Sequence, residues 1–241
     1  MNNWFLRGLR AGIRTEGLSP GEEQLAPGLS QGMPQPTTFP TQADAVRVVD
    51  LCPTDALVAD GSTVAVVRDR CVSCMRCKDP HGPAQAWRYD ASWAHTPGEI
   101  AANPLRGRFA RSIHVRVVDA GDCGACLNEI SQINGPSYNL HRFGIFITPT
   151  PRQADVLLVV GPVTRQMTDA LRAAFEAMPA PKRVVAVGAC AASGGIFGPS
   201  IMCAAGAADV VPVDIVVPGC PPPPAAIVHA LRSICGQERL P

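Results

Sequence analysis

The chain has 241 residues, 46% of them hydrophobic and 17% charged, with a formal net charge of +1. That length buries one sizeable core plus a small accessory module. Near-neutral charge without a basic stripe excludes a nucleic-acid surface, and no apolar run approaches the roughly 18 residues of a membrane helix.

Residues 1–42 form an N-terminal segment and linker. Asn3 to Arg14 mixes Trp4, Phe5, Leu6, Leu9 and Ile13 with Arg7, Arg10 and Arg14 at near-helical spacing. Such a basic amphipathic stretch lies on a membrane surface or on a membrane-embedded partner; an ordinary frayed helix, weakened by Gly8 and Gly12, is the alternative. From Glu16 to Gln42, Pro, Gly, Ser, Thr and Gln dominate without a period, which reads as an extended connector. With no secretory apolar core and no twin-arginine pair, ten cysteines read as metal ligands or redox groups before disulfides, and the expected compartment is the cytoplasm.

In residues 43–92 the cysteines are dense. Cys71-x-x-Cys74-x-x-Cys77 is the triple that bacterial ferredoxins use for an iron–sulfur cluster, but no fourth Cys follows it before Pro80. The Cys-Pro of this region is Cys52-Pro53, upstream of the triple. Cys52 with Cys71, Cys74 and Cys77 therefore completes one four-thiolate set, as if a two-cluster module had lost one cluster. Zinc held by four thiolates is the competing reading; a triple at this spacing beside Cys-Pro favours iron–sulfur. Val64–Val67 is predicted as a short strand, and 93–110 as a linker between modules. His81, His95, His114, His141 and His229 lack metal-ligand spacing and are expected to be solvated or satisfied within the core.

Residues 111–241 alternate between two periods. Ile113–Val118, Ala154–Val160, Arg183–Val187 and Asp214–Val217 read as strands, and Val163–Met178 and Pro222–Ile234 as helices, which specifies a doubly wound parallel sheet. Thr164, in the turn Gly161-Pro-Val-Thr164, is suited to capping the helix after it. Three strands end in a Gly-bearing turn and cysteine: Cys123-Gly-Ala-Cys126, Gly188-Ala-Cys190 and Gly219-Cys220. Loops at the carboxyl ends of parallel strands converge on one edge, so four thiols are expected to meet there. Cys-x-x-Cys beside a βα unit also fits a thioredoxin-like dithiol, but a dithiol has no need of Cys190 and Cys220. Zinc remains a second alternative. Amides around Gly124, Gly188 and Gly219 are expected to donate to sulfur. Cys203 and Cys235 are predicted as buried, unreactive thiols in or near helices. Neither a G-x-G-x-x-G nor a Walker loop occurs, so no nucleotide is indicated.

Cys123-x-x-Cys126-x-x-Glu129, His141-Arg-Phe-Gly144, Pro151-Arg-Gln-Ala-Asp155, Leu157 to Met167, Gly188-Ala-Cys190, Gly194-Gly195 and Val217-Pro-Gly-Cys-Pro-Pro222 together resemble the small electron-transfer subunit shared by group 4 [NiFe] hydrogenases and complex I (the 20 kDa subunit family). The N-terminal part resembles the ferredoxin-like subunit of the same assemblies. The chain thus looks like a fusion of two relay subunits. Spacing of Cys123 and Cys126 as Cys-x-x-Cys resembles the hydrogenase branch, since the complex I subunit has adjacent cysteines there. Gln153 stands where the family has His, and Pro223-Pro224-Ala225 where it has Arg-Pro-Glu; both bear on polar contacts to a partner rather than on cluster binding.

The resemblance implies an α/β, flavodoxin-like fold preceded by a small ferredoxin-like α+β module. It implies two [4Fe–4S] clusters, one on Cys123, Cys126, Cys190 and Cys220 and one on Cys52, Cys71, Cys74 and Cys77. Glu129, expected on the first helical turn, takes a proton-transfer role; simple helix stabilisation is the alternative. The function implied is that of a non-catalytic relay subunit of a formate-hydrogenlyase-like hydrogenase. Its partners are a catalytic large subunit with or without nickel, integral membrane subunits, and an electron carrier or formate dehydrogenase-type protein. Its place is the cytoplasmic side of the inner membrane. A complex I-like or nickel-free relative and a stand-alone iron–sulfur or zinc protein remain the alternatives.

Overall fold

The computed structural model describes residues 4–12, 32–78, 89–90, 95–96, 105 and 107–237. His81, residues 13–31 of the connector and most of the 93–110 linker lie outside them, as do Asn3, Ile13 and Arg14.

The larger unit is one five-stranded parallel sheet. Its strands are β6 (Ile113–Asp119), β7 (Ile145–Ile147), β8 (Val156–Val160), β9 (Arg183–Val187) and β10 (Ile215–Val217), ordered β10-β9-β8-β6-β7. Renumbered from the first strand, this is the 2-1-3-4-5 order of flavodoxin-like folds. β8 is central and buried at every position, which is why its sequence is a continuous apolar run rather than an alternating one. Its side chains divide by parity. Val156, Leu158 and Val160 join the core formed with α3 (Ala125–Gln132) and α6 (Pro224–Ile234), and Leu157 and Val159 join the core formed with α4 (Arg165–Ala177) and α5 (Ala189–Ser193). Truncating one of these, Leu158→Ala for instance, removes about 2–5 kcal/mol. The four strands predicted from sequence are present, as are α4 and α6. β7 has no counterpart in the sequence reading. It is a three-residue edge strand with only Ile145 buried, too short to show a period.

The N-terminal region has its own small core of Phe39, Ala45, Val48, Leu57 and Val64. Here α2 (Gln42–Asp50) packs on an antiparallel sheet in the order β2 (Thr37–Thr38), β4 (Thr63–Val66), β3 (Leu57–Asp60). The Thr41 hydroxyl accepts from the Asp44 amide and caps α2. The connector reading does not hold for residues 33–39. β1 (Met33–Pro34) pairs with β5 (Tyr89–Asp90), β2 pairs with β4, and Met33 and Phe39 are buried. Pairs of two residues carry no periodicity for a sequence to display. Further upstream, α1 (Trp4–Ala11) is helical, as its spacing predicts, and exposes Leu6 and Leu9.

Candidate metal centres

Strand register sets the level of the larger site. Asp119 aligns with Val160, Val160 with Val187, and Val187 with Val217, so β6, β8, β9 and β10 end in one row. Cys123 and Cys126, Cys190, and Cys220 follow within a few residues of that row. The turn after β6 is tied by carboxylates. Asp119 Oδ1 accepts from the amides of Gly121 (2.9 Å) and Asp122 (2.7 Å), and Asp122 Oδ2 accepts from those of Gly124 (3.0 Å) and Leu127 (3.2 Å). Asp122 therefore satisfies orphan donors at the start of α3, which carries Cys126. The sequence reading missed it, although an acidic residue just ahead of a helix start is a capping signal.

Burial pushes the Cys126 thiol well up, and the Asp122 carboxylate and the thiols of Cys190, Cys220 and Cys123 push it further. Cys190 is pushed up to about 11, by burial first and then by Cys220, Cys123 and Asp122. Cys220 is raised by burial, Cys123 and Asp122. Four thiols and a carboxylate thus share one small region. Burial favours the protonated thiol at Cys126, Cys190 and Cys220; a bound metal centre would favour the thiolate, because of its positive charge. Two glycines make room for sulfur. A Cβ on Gly188 (φ +89°) would stand 2.7 Å from Cys126 Sγ, and one on Gly195 (φ +57°) 2.7 Å from Cys190 Sγ.

The second set lies in the N-terminal region. Cys52, Cys71, Cys74 and Cys77 line one cavity, whose wall is completed by apolar groups such as Pro34, Ala56, Leu57 and Met75. The Ala56 amide donates to Cys52 Sγ at 3.2 Å. Burial raises the Cys71 thiol, opposed by a backbone hydrogen bond at Ser73, with Cys77, Cys52 and Cys74 adding to the rise. All ten cysteines are free thiols. Among the described residues, no three His, Cys, Asp or Glu side chains come close enough to hold a single metal ion.

Several sequence expectations change in detail. The Gly124 and Gly188 amides donate to Asp122 Oδ2 and the Val217 carbonyl, not to sulfur. Backbone hydrogen bonds to thiols come instead from Ala56 and at Ser73 and Ile196. Glu129 is the fifth residue of α3, on its second turn rather than its first. It is half-buried, and that burial raises its carboxyl pKa. Thr164 occupies the cap position of α4 but makes no side-chain cap bond; its methyl lies where a Cβ on Gly121 would go. Cys235 is buried, at the end of α6, as expected. Cys203 lies beside a helix, as expected, bridging to Thr164 at the start of α4, but it is half-buried rather than buried. Among the histidines, His229 is buried, His95 contacts Asp69, His114 lies 3.7 Å from Asp155, and His141 stacks on Phe146.

The segment after Cys190 is apolar and uncovered. Ile196, Phe197, Ile201 and Met202 are exposed, Ile201 to 80%. No helix among the described residues is long and apolar enough to cross a membrane.

The sequence pattern of the family described as NADH ubiquinone oxidoreductase, 20 Kd subunit, matches residues 123–234. An uncharacterised protein of Methanocaldococcus jannaschii is 48% identical over 124 residues, 52% of this chain and 83% of that protein. The probable membrane-bound hydrogenase subunit mbhJ of Pyrococcus furiosus is 43% identical over 51% of this chain and 74% of its own length. Formate hydrogenlyase subunit 7 of Escherichia coli is 42% identical over 55% of this chain, which spans 52% of that protein.

Proposed function

The chain belongs to the family of the 20 Kd subunit of NADH ubiquinone oxidoreductase, and from that premise we propose that it is the iron–sulfur relay subunit of a membrane-associated, formate-hydrogenlyase-like group 4 [NiFe] hydrogenase. It is a subunit of an oxidoreductase assembly of the hydrogenase or NADH–quinone type. The observation that carries the finer reading is the pair of four-thiol sets, one at the carboxyl edge of the sheet and one in the N-terminal region.

We assign a [4Fe–4S] cluster to each set. Bound there, a cluster takes up and gives back one electron at a time without bond-making on a substrate. The donor sets fit such a group: sulfur only, partly buried, with glycines giving way to Cys126 and Cys190. A Cys triple spaced as Cys71-x-x-Cys74-x-x-Cys77 beside a Cys-Pro favours iron–sulfur over the zinc alternative. The chain's own part is to aim the thiolates, to tune them through amides such as that of Ala56, and to keep water from Cys71 and Cys126.

The exposed Ile196, Phe197, Ile201 and Met202 lie just beyond Cys190, and we assign that face to the catalytic large subunit. α1, with Leu6 and Leu9 exposed beside Arg7 and Arg10, is assigned to integral membrane subunits or lipid, and a peripheral place on the cytoplasmic side is proposed with it. An electron carrier or formate dehydrogenase-type protein would approach the N-terminal set. Half-buried Glu129, on the helix that carries Cys126, is proposed to pass protons near the catalytic boundary.

Anaerobic affinity purification of the full chain from its native cells tests this reading. It should bring down a large subunit holding nickel on two Cys-x-x-Cys pairs. Recovery without any large subunit would refute the assignment, and a nickel-free large subunit would move the chain to a hydrogenase-derived complex.

A further inference from the structure

Asp69 stands two residues before Cys71, in the short turn Arg68–Arg70 that packs on α5, the helix carrying Cys190. Its carbonyl accepts the Ser193 hydroxyl at 2.8 Å, and Ser193 closes that helix. Its carboxylate meets His95 Nε2 at 3.0 Å. His95 in turn is fixed by its backbone. Its amide donates to the Val216 carbonyl at 2.9 Å and its carbonyl accepts the Val216 amide at 2.8 Å, an antiparallel bridge on β10. β10 is the outer strand of the sheet and leads to Cys220. One residue beside the N-terminal thiols is therefore gripped twice, through its backbone by the helix of Cys190 and through its side chain by the strand of Cys220. Both side chains are mostly shielded from water, where a polar contact is worth more than at an exposed surface.

We propose that Asp69 is a positioning residue: with Ser193 and His95 it clips the N-terminal thiol set onto the sheet edge and sets how closely that set approaches the thiols that follow β9 and β10. Opening the clip would widen the separation between the two sets. For a one-electron exchange between reduced and oxidised iron–sulfur centres, that separation is the quantity the protein controls.

The inference rests on the two-cluster reading, and the test separates the two. The full chain, purified anaerobically with its partners and reduced with dithionite, is examined by electron paramagnetic resonance beside its iron content. Unmodified protein should show spin–spin splitting between two reduced centres. Dipolar coupling falls with the cube of distance, so a small opening is visible. His95→Ala breaks the contact from a residue remote in sequence from every ligand, and Ser193→Ala breaks the other grip. Both should keep their iron while the splitting collapses toward the sum of two independent signals. His95→Gln, which keeps a polar side chain beside Asp69, should keep part of the splitting. Full iron with unchanged splitting in both Ala variants would overturn the clip alone, and so would full iron without splitting in the unmodified protein. Absence of iron would overturn the cluster reading beneath it.

Discussion

Gly188→Ala separates packing at the larger thiol set from general stability. Gly188 has φ +89° and ψ 158°, a region that is nearly glycine-only and costs another residue about 1–3 kcal/mol. The added methyl carbon would also stand 2.7 Å from Cys126 Sγ, so the sulfur or the turn must shift. Gly124→Ala is the matched control. Its φ is +92° with ψ −15°, and nothing lies within 4 Å of an added Cβ. It therefore carries backbone strain of about 1–2 kcal/mol without the collision. For a domain stable by about 5–15 kcal/mol, neither change unfolds the protein; each lowers the melting temperature by about 2–4 °C per kcal/mol. Iron per chain and low-temperature resonance spectra of anaerobically purified protein read the difference. Gly188→Ala should lose the signal of the larger set and keep that of the N-terminal set, while Gly124→Ala keeps both. Equal retention of both signals in Gly188→Ala would refute the argument that Gly188 makes room for a ligand sulfur.

Cys52→Ala should remove or convert the N-terminal centre alone, read as loss of one of two resonance signals; two unchanged signals would show that Cys52 is not a ligand. Deleting residues 3–14 should release the chain from washed membranes in cells that make its partners, as judged by fractionation, whereas unchanged association would leave α1 an ordinary helix. Glu129→Gln should keep both centres and assembly while lowering turnover strongly. Burial raises the Glu129 carboxyl, so it holds its proton to higher pH than an ordinary glutamate, and the limb of the pH–turnover profile that reports it should lie above the usual carboxylate range and vanish in the Gln variant.

What the sequence made legible follows from how each part is stabilised. β8, and β9 after Arg183, are buried on both faces and built from apolar residues, so they announce themselves as Val-rich runs. The cysteines after β6, β9 and β10 were readable because parallel strands must end at a common edge. β7, β1 and β2 were not, because strands of two or three residues hold their place through neighbours far along the chain. Asp122 was hidden for a similar reason: its role lies in which amides its oxygens reach, Gly124 and Leu127, and a turn decides that. Glycine identity correctly marked close approach at Gly188, yet it said nothing about where the amide would donate. The Asp69–His95 contact joins residues from two regions through a bridge to Val216 and has no local signature at all.

The central claim is that this chain carries two four-iron centres, and metal analysis of the anaerobically isolated holoprotein tests it most directly. Two four-thiolate sets, each holding a [4Fe–4S] group, should give about eight iron atoms and as many acid-labile sulfides per chain. Stoichiometric zinc with negligible iron and no labile sulfide would contradict it.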